Sequence, residues 1–328
     1  MMNTKKIIRW GIIGCGDVTE RKSGPAYQKT EGFEIKAVMR RDAAKAADYA
    51  LRHGIEKHYS DADSLINDPE IDAVYIATPP DTHHLYALKV AEAGKPCCIE
   101  KPMAPTYKEC LEITQAFEDK GIPLFVAYYR RSLPRFLKVK EWIDGGEIGA
   151  IRHIHWHLTK APSATDLSRE YNWRTDAAIA TGGYFDDLAS HGLDLFIYYF
   201  GDIKEVNGIS LNQQGLYTAH DATAASWLHS NGTTGTGTWN FGASAREDRV
   251  TIYGSRGTIT FAVFDEEPLE LTNETGTQQV VIDHPENIQL HHVHNMRNTL
   301  INNTPHPSTG HTGTHTNWVM DKISGNIK

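Results

Sequence analysis

Three side chains in this sequence have the chemistry to move a proton and to steady a growing negative charge: Lys101 in "GKPCCIEKPMAP", and Asp187 with His191 in "TGGYFDDLASHGLD". A neutral imidazole can take a proton from a hydroxyl, and a neighbouring carboxylate can orient the ring and raise its basicity. Asp187 and His191 are four residues apart in a helical pattern, so they share one face. Asp186 is expected to point elsewhere, and Asp194 to be structural. Taken alone, one Asp/His pair on a capped helix reads more readily as structure than as chemistry. Lys101 is the less ordinary residue, because it stands between Glu100 and Pro102 where an apolar run ends. A fixed ammonium there could stabilise an oxygen that turns anionic.

The elements that must hold these residues can be read from pattern. From Ile7 to about residue 127, the apolar runs "IIRWGIIG", "FEIKAVM", "DAVYIATP", "PCCIE" and "IPLFVAY" alternate with helical segments. Continuous apolar strands with helices between them predict a doubly wound parallel sheet covered on both faces. Two of the helices end in glycine, at "AEAG" and "FEDKG". After about Ile148, runs such as "AIRHIHWHLTK", "TAASWLHS", "TTGTGTWNF" and "DRVTIYGS" alternate polar and apolar residues, the pattern of an antiparallel sheet with one solvated or interface face. Helical pattern recurs at 183–200, 287–302 and 309–323. The expected division is a dinucleotide-binding domain over 1–127 and a substrate-binding and oligomerisation α+β domain with a large, mainly antiparallel open sheet over 128–328, whose C-terminal helix could pack back on the first domain.

The glycine turn "GIIGCGDVT" follows the first strand directly. A pyrophosphate needs backbone free of side chains and N–H groups at a helix start, which Gly14 and Gly16 can supply; Thr19 occupies the third glycine position. At the end of the next apolar strand come Met39, Arg40 and Arg41, with no carboxylate until Asp42. An acid there would take the ribose 2′-hydroxyl of NAD, whereas an arginine can take the 2′-phosphate of NADP, so NADP is favoured over NAD. In open parallel sheets ligands bind beyond the carboxyl ends of the strands, which puts "ATPPDTHH" and "EKPMAP" on the same rim. The cofactor side is therefore expected to comprise Gly14, Gly16, Asp17, Val18, Arg40, Arg41, Thr78, Pro79, His83, Glu100 and Lys101. Lys101–Pro102 is a candidate cis bond.

Softer candidates face the substrate. Tyr171, Trp173 and Arg174 in "REYNWRTD" could stack on and hydrogen-bond a polyol, or Trp173 could simply pack against the core; Tyr128, Arg130 and Arg131 follow the last apolar strand. His284, His291, His292, His294, His306, His311 and His315 suggest a metal, but no cysteine or acid cluster joins them. A surface role without metal is expected.

Composition narrows the class. The chain has 328 residues, 40% hydrophobic and 23% charged, enough for two cores. Its net charge of -8 is interspersed, with no basic stripe for nucleic acid. Four cysteines without a CxxC pair suggest reduced thiols in a cytoplasmic protein. In "MMNTKKIIRWGIIGCG" the apolar run is too short to span a membrane and reads as a first strand rather than a signal peptide. The Asn-X-Thr triplets at Asn231 and Asn302 would then go unused.

Together, the glycine turn, "ATPPDTHH", "EKP" and Gly-Gly followed by Asp187 and His191 resemble the Gfo/Idh/MocA family, in order and over nearly the full chain. The resemblance implies a Rossmann-like domain, a second domain whose open sheet makes homodimers or homotetramers, and hydride transfer between NAD(P) and a sugar, polyol or related diol. It implies that Lys101 touches both nicotinamide ribose and the reacting oxygen, that His191 is the general acid/base, and that Asp187 is its companion, in a site between the two domains. Tyr129 stands where the family usually has asparagine, and Ala189 where glycine is frequent. A glycosidase of the same superfamily that uses bound NAD, and a non-catalytic dinucleotide-binding regulator, are the alternatives.

Overall fold

The computed structural model describes residues 7–327; the basic start of the chain, Met1 to Lys6, lies outside them. In chain order the elements are β1 (Ile8–Ile13), α1 (Asp17–Arg21), α2 (Gly24–Lys29), β2 (Phe33–Met39), α3 (Ala43–His53), β3 (Lys57–Tyr59), α4 (Ala62–Ile66), β4 (Ala73–Ile76), α5 (His83–Glu92), β5 (Cys97–Ile99), α6 (Tyr107–Lys120) and β6 (Leu124–Val126). There follow α7 (Pro134–Asp144), β7 (Ile151–Thr159), α8 (Ala164–Ser168), a π-helical turn (Phe185–Ala189) running into α9 (Ser190–Phe200), and the strands β8 (Ile203–Leu211), β9 (Ala222–His229), β10 (Thr234–Asn240), β11 (Glu247–Gly254), β12 (Gly257–Phe261), β13 (Leu269–Asn273) and β14 (Gly276–Val280). The helices α10 (Leu290–Asn302) and α11 (Gly310–Ser324) complete the chain.

The chain forms two compact units. The first runs to Ser132 and takes back residues 285–314; the second comprises Leu133–His284 and His315–Lys328. Sequence pattern places the division between 127 and 128 and leaves the C-terminal helix free to pack back on the first domain. It is α10 that returns, burying Val293 and Met296 in the first unit's core, while most of α11 stays with the second unit.

In the first unit the strands lie in the order β3-β2-β1-β4-β5-β6, all parallel. Both faces are apolar: Ile13, Val74, Ile76 and Ile99 belong to one cluster, and Trp10, Ile12, Tyr75 and Cys98 to the other. Each fully buried side chain of this kind contributes about 1.5–3 kcal/mol relative to exposure. Local signals set the helix ends. Asp42 accepts from the Lys45 N–H at 3.1 Å to start α3, and a reciprocal Thr106–Glu109 box starts α6, which ends at Gly121 with φ +63°. The four cysteines are free thiols and buried.

In the second unit the order is β14-β13-β12-β11-β7-β10-β9-β8, antiparallel except for β7 with β10. Its core packs α9 and the π turn on one face of the sheet: Phe196 meets Trp156 edge-on at 5.7 Å, and Phe185 meets Trp239 at 5.0 Å. On the other face, cross-strand rows run Asn207–Ser226–Thr236–His155–Thr251 and Ile209–Ala224–Thr238–His157–Arg249. The expected fold class is therefore observed.

One expectation is corrected here. The C-terminal histidines are not uniformly superficial. His292 is fully buried and His306 nearly so, their rings 4.7 Å apart, with His306 Nε2 directed at the His292 carbonyl and Nδ1 accepting from the Ser308 N–H. Burial pushes both imidazoles down, His306 to about 4, so these are neutral packing groups. Among the described residues no helix is long and apolar enough to cross a membrane, and no group of three or more His, Cys, Asp or Glu is placed to hold a metal ion.

Candidate active site

The first unit gathers the strand ends. Gly14 has φ +96°, and a Cβ there would come within 2.8 Å of the Ala77 and Thr78 backbone, so only glycine lets the exits of β1 and β4 approach. Gly16 is different: a Cβ would meet nothing within 4 Å. Protein packing does not require that glycine, but a ligand laid against the backbone would, and the dinucleotide cradle fits the residues present. Thr19 closes the turn as a hydroxyl rather than a third glycine, donating to the Gly16 carbonyl at 2.8 Å and accepting its N–H at 2.9 Å. Asp17 is exposed and Val18 half-buried at the start of α1. Arg40 reaches back from the end of β2 to donate to the Cys15 carbonyl at 3.1 Å, while Arg41 is exposed. Asp42 is committed to its cap on α3, whose Lys45 N–H holds the carboxyl below its usual range.

Thr78 is half-buried and Pro79 exposed on the same rim. His83, expected beside the cofactor, is fully buried. Its Nε2 lies 2.8 Å from the Thr78 carbonyl and its Nδ1 3.1 Å from that of Pro102; a neutral ring has one N–H and donates to one of the two, packed between the exits of β4 and β5. Burial lowers its basicity. The Lys101–Pro102 bond is cis, and Lys101 is half-buried just past β5. Tyr128 and Arg130 also depart from expectation. Tyr128 lies fully inside one core cluster, where the apolar run of β6 continues, and Arg130 is 5% exposed with its guanidinium over the Tyr129 ring at 5.2 Å. Neither presents an open surface to substrate.

The second unit carries the proton-transfer candidates. Gly183 has φ +63°, and Gly182 has no room for a Cβ because the Asp186 carboxylate folds back on it and accepts its N–H at 2.9 Å. The next five residues form the π turn, a wide turn often found at functional sites. Asp187 lies within it and His191 on the first turn of α9. The His191 ring meets Phe264 edge-on at 5.9 Å. Below it, Gly192 packs against the Trp156 ring, where a Cβ would lie 2.3 Å from a ring carbon. Trp156 Nε1 donates to Asp248, whose other oxygen accepts the Phe264 N–H at 2.6 Å. One buried carboxylate thus holds both the Trp156 ring under Gly192 and the backbone of Phe264, whose ring meets His191.

Arg174 donates through Nε to Asp187 at 3.0 Å, and its guanidinium lies over the Trp173 ring at 4.4 Å. Trp173 is half-buried and Tyr171 is 76% exposed, so this aromatic and cationic segment borders Asp187 instead of filling the core. Asp194 is fully buried and accepts from Thr316, as a structural residue would.

Sequence reasoning missed the partners of Glu100. Tyr75 and Gln289 both donate to its Oε1, at 2.5 and 2.7 Å. Gln289 is 189 positions away, and nothing in its local sequence marks it.

Comparison with known proteins places the chain in a family. Residues 8–128 match the oxidoreductase family with an NAD-binding Rossmann fold, and residues 136–260 match the GFO/IDH/MocA C-terminal domain. An oxidoreductase of Formosa agariphila is 35% identical over 97% of this chain and 98% of its own. The levoglucosan dehydrogenase of Pseudarthrobacter phenanthrenivorans is 36% identical over 53% of this chain and 44% of its own. A solved levoglucosan dehydrogenase in complex with NADH superposes with a TM-score of 0.88 at 25% identity, covering 97% of this chain and 96% of that one. The chain therefore belongs to the GFO/IDH/MocA oxidoreductases, whose N-terminal half is an NAD-binding Rossmann fold.

Proposed function

We propose that this oxidoreductase transfers hydride between a nicotinamide dinucleotide and a carbinol or carbonyl carbon of a sugar, polyol or related diol. The observation that carries the reading is the rim of the first unit: a backbone cradle at Gly14 and Gly16 beside the exit of β4, with Lys101 at the exit of β5 and His83 packed between the two exits. Similarity to levoglucosan dehydrogenases supports the substrate class.

Gly14, Gly16, Asp17, Val18, Thr78, Pro79, Glu100 and Lys101 would hold the cofactor, which when bound supplies or accepts the hydride. The protein's own part is electrostatic and protonic. As a carbinol oxygen loses its proton and gains negative character, the Lys101 ammonium stabilises it and His191 takes the proton. In the reductive direction protonated His191 returns it. Asp187 orients the imidazole, and Arg174 holds one oxygen of Asp187, which limits its rotation. Trp173, Arg174 and Tyr171 offer an aromatic face and donors suited to a polyol. NADP is the favoured cofactor. Asp42, the only acid near the end of β2, is spent on capping α3, which leaves Arg40 and Arg41 to meet a 2′-phosphate.

Assembly as a homodimer or homotetramer would cover the sheet face that bears His155 and Thr236. That face exposes Ile209 and Tyr253, 69% and 42% accessible, and on β11 its formal charges, Arg249 and Glu247, are of opposite sign. A second copy of the chain suits so flat and weakly charged a surface. The buried free thiols support a cytoplasmic setting.

The test is a nicotinamide absorbance screen over sugars, inositols, diols and their keto forms with both cofactors, repeated on Lys101→Ala and His191→Ala. Turnover on a polyol that both substitutions abolish, with cofactor binding retained, supports the reading. Near-normal turnover in either variant refutes the assigned roles.

A further inference from the structure

Glu100 leaves β5 with one carboxylate oxygen fully committed. Oε1 accepts the Tyr75 hydroxyl at 2.5 Å and the Gln289 amide at 2.7 Å, while Oε2 has the Lys101 N–H at 3.3 Å, a long contact. Both donors are interior, Tyr75 at 0% and Gln289 at 1% exposure. Tyr75 is held from the sheet side, its ring stacked on Tyr27 at 5.2 Å. Gln289 is held from the helix side, as the residue that opens α10. Just before it, Asn287 accepts from Lys29 at 2.7 Å; just after it, His292 lies against Cys98 and Asn295 donates to Ser132 at 3.0 Å. The Gln289 Oε1 is buried and has no hydrogen-bond partner among the described residues. A buried acceptor left alone is costly, so the local structure tolerates that cost while keeping the amide donor on Glu100.

We propose that Gln289 is a positioning residue for the Glu100–Lys101 turn: with Tyr75 it fixes Glu100 Oε1, so that Oε2 and the Lys101 backbone are presented to the cofactor in one orientation. Two donors on one oxygen stop the carboxylate from rotating, and the second oxygen is then set for a ligand hydroxyl. The inference rests on the proposed cofactor role of this turn. It explains why α10, far along the chain, belongs to the first unit: its opening residue completes the rim.

The experiment is a double-mutant cycle on cofactor affinity, read by nicotinamide fluorescence with NADH and NADPH and no substrate present. Gln289→Leu is expected to weaken binding about tenfold, as loss of one hydrogen bond to a charged group predicts. Tyr75→Phe, which leaves α10 untouched, is expected to weaken it in the same direction. In the Glu100→Ala background, which removes the acceptor oxygen, the Gln289→Leu substitution should change affinity less than twofold, because its route of action is gone. Wild-type affinity in Gln289→Leu, or effects that multiply in the double variant, would overturn the proposal and leave the cofactor site standing. Unchanged affinity in Glu100→Ala would remove the cofactor role of the turn, and the clamp with it. If Gln289→Leu does not fold, the cycle of Tyr75→Phe with Glu100→Ala decides by the same criteria.

Discussion

Replacing Asp186 by asparagine should make the protein more stable at pH 8 than the wild type, and by less, or not at all, at pH 4. The Asp186 carboxyl is pushed up from 3.8 to about 7, chiefly by burial, then by the negative charges of Asp321 and Asp187, against the opposing hydrogen bond from Gly182. For an acid raised in the folded state, the unfolded chain releases its proton first. Stability is therefore lost as pH climbs from about 4 towards 7 and is flat above that. A rise of roughly three units corresponds to about 4 kcal/mol at 1.36 kcal/mol per unit. Asp186 keeps some solvent contact, so screening reduces the expected effect to about 2 kcal/mol. Asparagine retains an oxygen for the Gly182 N–H and cannot ionise, so it isolates the charge from the turn. Thermal melting of both proteins at pH 4, 5, 6, 7 and 8 reads the difference, which should grow with pH by about 2–4 °C per kcal/mol. A difference that stays constant across the series, or shrinks, refutes the reasoning.

Other outcomes follow from the same geometry. Lys101→Ala and His191→Ala should each reduce kcat by orders of magnitude with NAD(P) affinity largely kept, measured by steady-state kinetics and fluorescence titration. Arg40→Ala should narrow the preference for NADPH over NADH in binding titrations, and an unchanged ratio removes Arg40 from that role. Gly192→Ala forces a methyl into the Trp156 ring, which Asp248 pins in place, and should cost about 1–3 kcal/mol in denaturant unfolding while also lowering kcat through displaced His191. Ile209→Lys combined with Tyr253→Lys should shift the sedimentation coefficient towards the monomer if the sheet face joins copies of the chain.

The parts of this fold that could be read in the sequence are those whose cause is local. The apolar runs of β1, β2, β4, β5 and β6 announce strands buried on both faces, and the glycines after α5 and α6 mark real helix ends. β3, with the sequence KHY, is a polar edge strand, and β13 and β14 are short and partly exposed, so their hydrophobic alternation is faint. The π turn has no sequence signature, because it arises from how Asp186 packs on Gly182. Tyr128 and His83 had side chains of the right chemistry, but their burial depends on neighbours outside their own strands and turns. Gln289 is the extreme case: its meaning is set by Glu100, to which only the folded chain introduces it.

The return of residues 285–314 to the first unit also dictates an order of events during synthesis. When Ser132 has been made, all six strands of the parallel sheet exist as sequence, yet the domain is unfinished. The outer edge of β6 still lacks the segment that carries Ser308, which donates to the Val126 carbonyl at 2.7 Å, and Thr309, which bridges to Phe125. Glu100 still lacks its amide donor. About 180 further residues must be added before these arrive, roughly ten to forty seconds at typical translation rates. During that interval the nascent sheet has an open, apolar-flanked edge, the kind that pairs with other chains. A fragment cut at Ser132 would be frozen in that state, and a ribosome-bound chain passes through it each time the protein is made.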